Sequence, residues 1–397
     1  MQIARRMGRL GTETAFEVLA QVNRLKAEGQ DIISFALGEP DFDTPTNIKD
    51  AAMKAITDGY THYSPSAGIL PLRESIAHYI SDTRGMGVEP DEVVVTPGAK
   101  PIIFDSILSC VNEGDEVIYP NPGFPIYESV IDFLGAKPVP LPLLEEKNFS
   151  FDPEDLRRRI SPRTRMIILN SPHNPTGGIL SQDDLETIAE IAMKNDLWIL
   201  SDEVYSKIIY DGKFQSIISI PGMKERTILV DGFSKTYAMT GWRLGFGIMK
   251  KELAVDIARI ETNVDSCTAT FTQYAGIEAL KGPQDESSAM IAEFQRRRDL
   301  IYEELNDIEG IKCLKPKGAF YIYPNVTEAC RNLDLGDSKE LQQYLLHRAK
   351  VAVLARSCFG RRNEGEKEEY IRLSYATSRK NIIEGVKKIK KAIESKS

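Results

Sequence analysis

What this chain has little of narrows the field first. Its five cysteines, Cys110, Cys267, Cys313, Cys330 and Cys358, are odd in number, far apart, and form no C-x-x-C pair. That excludes a disulfide framework and the spacing of a zinc site. The four histidines, His62, His78, His173 and His347, lack ligand spacing as well, so no metal is expected. No apolar run reaches the ~18 residues of a membrane span. Met1-Gln2-Ile3-Ala4-Arg5-Arg6 leads into polar sequence, not into the apolar core of a signal peptide. Excess positive charge is also missing: 50 basic residues face 58 acidic ones, for a formal net charge of −8. Neither nucleic acid nor an anionic membrane is an expected partner. There is no internal repeat and no low-complexity tract. These absences leave a cytoplasmic globular protein as the expectation.

The chain has 397 residues, 42% of them hydrophobic and 27% charged, enough to bury a large core. Residues 12–28 have an amphipathic helical period, and 31–35 read as a short strand. Short apolar runs at 93–95, 117–119, 166–169, 197–200, 227–230 and 244–248 then alternate with helical periods. Unbroken apolarity in each run predicts a parallel sheet covered on both faces. The helices between most runs fit right-handed crossovers. Gly282-Pro283 marks a boundary, followed by a long helix over 286–306. Strands near 318–323 and 370–374 and a last helix over 379–395 complete the chain. The expected fold class is α/β. A large domain over 46–282 carries a mostly parallel central sheet with helices on both faces. A smaller α+β domain is built from both termini, 1–45 and 283–397. The basic triplets Arg157-Arg158-Arg159 and Arg296-Arg297-Arg298 lie in helical stretches among acids and read as solvated helix faces.

The most telling segment runs Gly232-Phe233-Ser234-Lys235-Thr236-Tyr237-Ala238-Met239-Thr240-Gly241-Trp242-Arg243-Leu244-Gly245, just past the 227–230 strand. A lysine there, with small neighbours and an arginine eight positions on, suits one chemistry. The amine can form a Schiff base with an aldehyde cofactor, and the arginine can hold that cofactor's phosphate. Read alone, the segment fits a strand-to-loop exit with two surface cations as well. In open parallel sheets ligands bind beyond the carboxyl ends of the strands. Asn174, Asp202 and Lys235 each follow such an end, which brings them towards one crevice. Thr96-Pro97-Gly98-Ala99-Lys100-Pro101 reads as a strand end, a turn and a first helical turn. Free N–H groups at such a terminus hold phosphate, Gly98 permits close approach, and Pro101 fits the first turn.

The 232–245 segment resembles the lysine-site signature of the class I pyridoxal-phosphate aminotransferases of fold type I, in particular the aspartate aminotransferase-like group. Four more segments resemble the same family in the same order. They are Gly38-Glu39-Pro40-Asp41-Phe42, Asn170-Ser171-Pro172-His173-Asn174-Pro175-Thr176-Gly177, Ser201-Asp202-Glu203-Val204-Tyr205 and Tyr370-Ile371-Arg372-Leu373-Ser374-Tyr375-Ala376-Thr377. Together they span nearly the whole chain. The resemblance implies pyridoxal 5'-phosphate as cofactor, with Lys235 as its anchor and proton carrier. Asp202 would face the pyridine nitrogen and keep it protonated, so that the ring acts as an electron sink. Tyr205 and Asn174 would donate hydrogen bonds to the ring's phenolate oxygen. Gly98, Ala99, Lys100, Ser234 and Arg243 would hold the phosphate, and Phe124 would stack on the ring. Relatives often have a serine or threonine three residues before the lysine; Gly232 stands there, so one phosphate hydroxyl is missing. Tyr63 resembles the tyrosine that reaches across a homodimer to the neighbour's phosphate. Locally, the plainer roles stay open: a turn residue for Asp202 or Asn174, a core aromatic for Tyr205, a loop tyrosine for Tyr63.

The same resemblance implies that Arg372 clamps the substrate α-carboxylate, with Gly38, Asn174 and Phe124 beside it. The Gly38-Glu39-Pro40 turn would form part of a moving lid. Lys100 matches a lysine that recognises dicarboxylic substrates in one branch of the family, although a helix-start residue facing solvent is an equal reading of that position. The expected reaction is ping-pong amino transfer between an L-amino acid, aspartate or glutamate foremost, and a 2-oxo acid, 2-oxoglutarate or oxaloacetate. Aromatic, alanine-type or prephenate substrates are the first alternative, and β-elimination on the same scaffold is the second. A non-catalytic sensor domain of a transcription regulator is a third, but with Gly38 so near the start no DNA-binding module is expected.

Overall fold

The computed structural model describes residues 1–395; residues 396 and 397 of the expected C-terminal segment lie outside it. Seven strands form the main sheet: β1 Val93–Thr96, β2 Glu116–Asn121, β3 Lys137–Pro142, β4 Thr164–Asn170, β5 Trp198–Asp202, β6 Thr227–Gly232 and β7 Gly245–Ile248. Their order is β1-β7-β6-β5-β4-β2-β3. β7 runs antiparallel to both neighbours, and all other pairs are parallel. Alternate residues of these strands enter different cores, as a pleated strand requires. Val94, Val117, Met166, Leu200 and Val230 pack on one side. Val95, Leu229 and Phe246, and separately Ile118, Ile167 and Ile199, pack into other apolar clusters. The strands therefore bury both faces and read as unbroken apolar runs.

One strand has no such signature. β3 is Lys-Pro-Val-Pro-Leu-Pro, with a proline at every second position. Proline donates nothing to a ladder, so a strand of this kind survives only at an edge, where one row of N–H groups has no partner to lose. β3 is that edge strand, paired with β2 alone.

Smaller pieces come from both ends of the chain. Tyr321–Ile322, Leu354–Ala355 and Ile371–Ser374 form an antiparallel sheet with Ile371–Ser374 central. Ile33–Ser34 pairs in parallel with Val351–Ala352. Phe35, Phe294, Ile301, Phe320 and Leu373 share one core there, beneath the helices Asp285–Asn306 and Arg379–Glu394. The two-residue strands at 351 and 354 are too short to show a period in the sequence.

The expectation for Arg296-Arg297-Arg298 needs correction. Arg297 and Arg298 are only 6% and 2% exposed. Arg297 Nη1 lies 2.6 Å from Asp41 and its Nε 3.2 Å from Glu293. Arg298 pairs with Asp211, meets Asp299 at 2.8 Å, and donates to the Pro316 carbonyl at 3.1 Å. Buried cations require such partners, and Asp41 and Asp211 are too distant in sequence to announce themselves. Arg157, Arg158 and Arg159 do stay at the surface, paired with Glu154 and Asp155 of their own helix. No helix among the described residues is long and apolar enough to cross a membrane.

Candidate active site

A cavity of about 540 Å³ opens where β4, β5 and β6 end. Its lining includes Gly38, Ala99, Lys100, Phe124, Asn174, Asp202, Tyr205, Ser234, Lys235, Arg243 and Arg372, residues drawn from widely separated stretches of the chain. Every site residue expected from the sequence lines it except Gly98, which lies directly behind, and Tyr63. Tyr63 is 88% exposed and outside the cavity.

Lys235 sits in a single helical turn, Phe233–Thr236, that follows β6 without a loop. Its Nζ donates to the Gly38 carbonyl at 2.6 Å and lies 5.7 Å from the centre of the Phe320 ring. Burial pulls its pKa down to about 8; Glu39 opposes that, and Arg372, Lys100 and Arg243 add to it. A lysine so placed has a substantial neutral fraction at physiological pH. Gly38 is required at its position: a Cβ there would lie 2.1 Å from the Tyr321 hydroxyl.

Asp202 ends β5 and is buried. Burial raises its pKa to about 6, and the hydrogen bond from Tyr127 partly offsets this. The Tyr127 hydroxyl donates to Oδ2 at 2.6 Å, and the Val204 N–H donates to Oδ1 at 3.3 Å. Asn170, at the end of β4, ties this strand end to the next turn. Its Nδ2 donates to the Asp202 carbonyl at 3.1 Å, and its Oδ1 accepts from the Asn174 N–H at 2.9 Å. His173 completes the turn with Nδ1 2.8 Å from the Thr176 hydroxyl, and burial lowers its pKa to about 3, so it is neutral.

Arg372 is central in the small antiparallel sheet and only 4% exposed. Nη1 donates to Asn174 Oδ1 at 3.0 Å, Nη2 donates to the Ala36 carbonyl, and the guanidinium lies 4.5 Å from the centre of the Tyr321 ring. Its Nε is buried with no partner among the described residues. A buried, unpaired guanidinium N–H is costly, and a ligand carboxylate would satisfy it. Tyr205 shares a 2.7 Å hydrogen bond with Tyr321, and burial pushes its phenol well above the ordinary range, so it remains a donor.

At the opposite wall the helix Lys100–Cys110 points its N-terminus inward, and no side chain caps it. Gly98 holds φ +87°, and a Cβ there would lie 2.1 Å from Arg243 Nη2. Arg243 thus lies against the turn itself, with Nη1 2.9 Å from the Thr240 carbonyl. Uncapped N–H groups beside an arginine fit a phosphate. The buried acid at one end, the depressed amine at the other and this cradle fit a phosphorylated pyridine aldehyde. Among the described residues no group of His, Cys, Asp and Glu is arranged to hold a metal ion.

Lys100 lines the cavity with its ammonium paired to Glu13 and its side chain 42% exposed, and the ammonium lies 5.4 Å and 5.7 Å from the ring centres of Phe124 and Phe16. Glu13, Phe16, Tyr127 and Tyr321 are site residues that sequence reading missed. Tyr127 lies in the first turn of the helix Ile126–Leu134 with its ring edge-on to Phe124, the ring centres 5.8 Å apart; nothing local marks any of the four.

The sequence model of the family described as "Aminotransferase class I and II" matches residues 30–389. A "Probable aspartate/prephenate aminotransferase" of Aquifex aeolicus is 40% identical over 396 residues, 99% of this chain and 98% of that protein. An "Aromatic-amino-acid aminotransferase 2" of Thermococcus litoralis is 40% identical over 369 residues, covering 92% of each. The solved structure of Thermus thermophilus aspartate aminotransferase with maleate superposes with a TM-score of 0.92 at 34% identity, covering 99% of this chain and all of that one. Likeness of this extent, in a chain whose strand ends converge on a neutral-leaning lysine, makes the protein a member of the class I and II aminotransferase family.

Proposed function

We propose that this aminotransferase uses pyridoxal 5'-phosphate and moves amino groups between L-aspartate or L-glutamate and 2-oxo acids such as 2-oxoglutarate and oxaloacetate, in ping-pong order. When bound, the cofactor supplies an aldehyde for amine capture and a ring that withdraws electrons from the substrate α-carbon. The carrying observation is that Lys235, its pKa lowered to about 8, shares one cavity with buried Asp202 and with the unpartnered Nε of Arg372. Arg243, Ser234 and the Gly98–Lys100 turn would hold the phosphate. Asp202, oriented by Tyr127, would hold a proton at the pyridine nitrogen. Tyr205 and Asn174 would donate to the phenolate oxygen, and Phe124 would cover the ring face. Arg372 would orient the substrate by its α-carboxylate, leaving Lys235 to carry the proton that leaves the α-carbon. Exposed Tyr63 would serve the neighbouring subunit of a homodimer. Segments 1–45 and 283–397 would form the smaller domain beside 46–282. Cytoplasm is the proposed location, where five free cysteines stay reduced.

Aromatic substrates form the second reading, because the Phe16 and Phe124 rings both face the cavity. The test is the visible absorption of the cofactor-loaded enzyme during addition of L-aspartate without any oxo acid. The internal band should fall and return when 2-oxoglutarate is added. A response to phenylalanine and none to aspartate would replace the first substrate class by the second. Pyruvate and ammonia as products would mean β-elimination, and no band at all would sink the cofactor assignment.

A further inference from the structure

The pairing of Lys100 with Glu13 bears on which side chains the cavity admits. Glu13 immediately precedes the helix Thr14–Ala27, in the N-cap position, yet its side chain caps no N–H there. It turns to Lys100, which lies 87 positions away in sequence. The pair stands in the cavity wall with Phe16 and Phe124 beside the ammonium. With the pair closed, this end of the cavity offers two aromatic rings and no net charge. With it open, the same end offers a cation. The displaced carboxylate has a second favourable place, because it sits at the N-terminus of a 14-residue helix whose dipole attracts negative charge.

We propose that Glu13 is the specificity-determining residue of this enzyme. Its carboxylate competes with an acidic substrate side chain for Lys100, so an aromatic side chain enters with the pair closed and an acidic one only by opening it. This rests on the functional reading above and adds to it a cost for acidic substrates that aromatic ones do not meet. An ion pair of this partial exposure shifts competing affinity by up to about fivefold.

The test measures binding of two unreactive carboxylates, maleate and 3-phenylpropanoate, to cofactor-loaded enzyme by calorimetry. Glu13→Gln should tighten maleate about fivefold and move 3-phenylpropanoate by less than about twofold. Lys100→Gln should weaken maleate, and adding Glu13→Gln to it should then change nothing, since the two residues act as one unit. Glu13→Ala, as a second variant, should act like Glu13→Gln. Unchanged maleate affinity in a folded Glu13 variant overturns the proposal, and so does equal tightening of both ligands, which would reflect only a changed field. In both cases the functional reading stands. Wild-type enzyme that binds neither carboxylate would take the functional reading down, and this proposal with it.

Discussion

In the proposed reaction Lys235 needs to be neutral to capture the aldehyde and again to accept a proton, and one physical cause serves both. Burial favours the uncharged form, so the lysine titrates near 8 rather than in the usual lysine range. Below that pH the ammonium has no lone pair to offer. Capture of pyridoxal phosphate by cofactor-free enzyme should therefore rise about tenfold per pH unit up to roughly pH 8 and then level off. Stopped-flow absorbance measures it, and a rise continuing past pH 10 would contradict the burial argument. At this scale the sequence is most informative. Lys235, Asp202 and Asn174 are legible because each follows an apolar strand by a few residues. Arg372 is legible because a charge amid buried strand residues demands a partner. The side chains that aim them are not. Tyr127 reaches Asp202 across 75 positions and Glu13 reaches Lys100 across 87, pairings that no local pattern encodes.

Among the elements, the long helix Asp285–Asn306 shows how a segment distant from the chemistry holds it in place. Arg297 joins this helix to Asp41, three residues beyond Gly38, the carbonyl of which accepts from Lys235. Arg297→Ala leaves Asp41 without its cation. It should cost about 1–2 kcal/mol in thermal or denaturant unfolding, from the lost pair and the lost stacking on Phe42, and raise the Michaelis constant by loosening the Gly38 turn. Wild-type stability in the variant would show the pair to be energetically idle. Helix 14–27 and the main strands follow from hydrophobic period alone, within a residue or two at each end. β3 does not, because its prolines carry a turn signal and only its position at the sheet edge makes them harmless.

For the whole molecule, the proposed homodimer can be tested through Tyr63. If Tyr63 serves a neighbour's site, Tyr63→Ala should be impaired. Mixed in equal amounts with Lys235→Ala and allowed to exchange, it should recover about a quarter of wild-type activity. Half of the dimers are then mixed, and each mixed dimer holds one site with both residues intact. No recovery despite proven exchange would confine Tyr63 to its own chain. Sequence alone carries the main sheet, because its apolar runs are visible. It cannot show which terminal strands meet.

That meeting has a consequence for how the protein comes into being. Ile33–Ser34 finds its strand partner only at Val351–Ala352, and the Ala36 carbonyl meets Arg372 across 336 positions. During synthesis the main sheet, whose strands end at Ile248, can close while the ribosome is still translating the residues that follow. Ile33–Ser34 must wait, unpaired, until Val351–Ala352 has been made. A ribosome that stalls before Val351 therefore releases a chain with every strand of the main sheet and Lys235, but without Arg372 and with Ile33–Ser34 unpaired. Arg372 and the cover for that edge thus emerge close together, within about two dozen residues of each other and long after the main sheet.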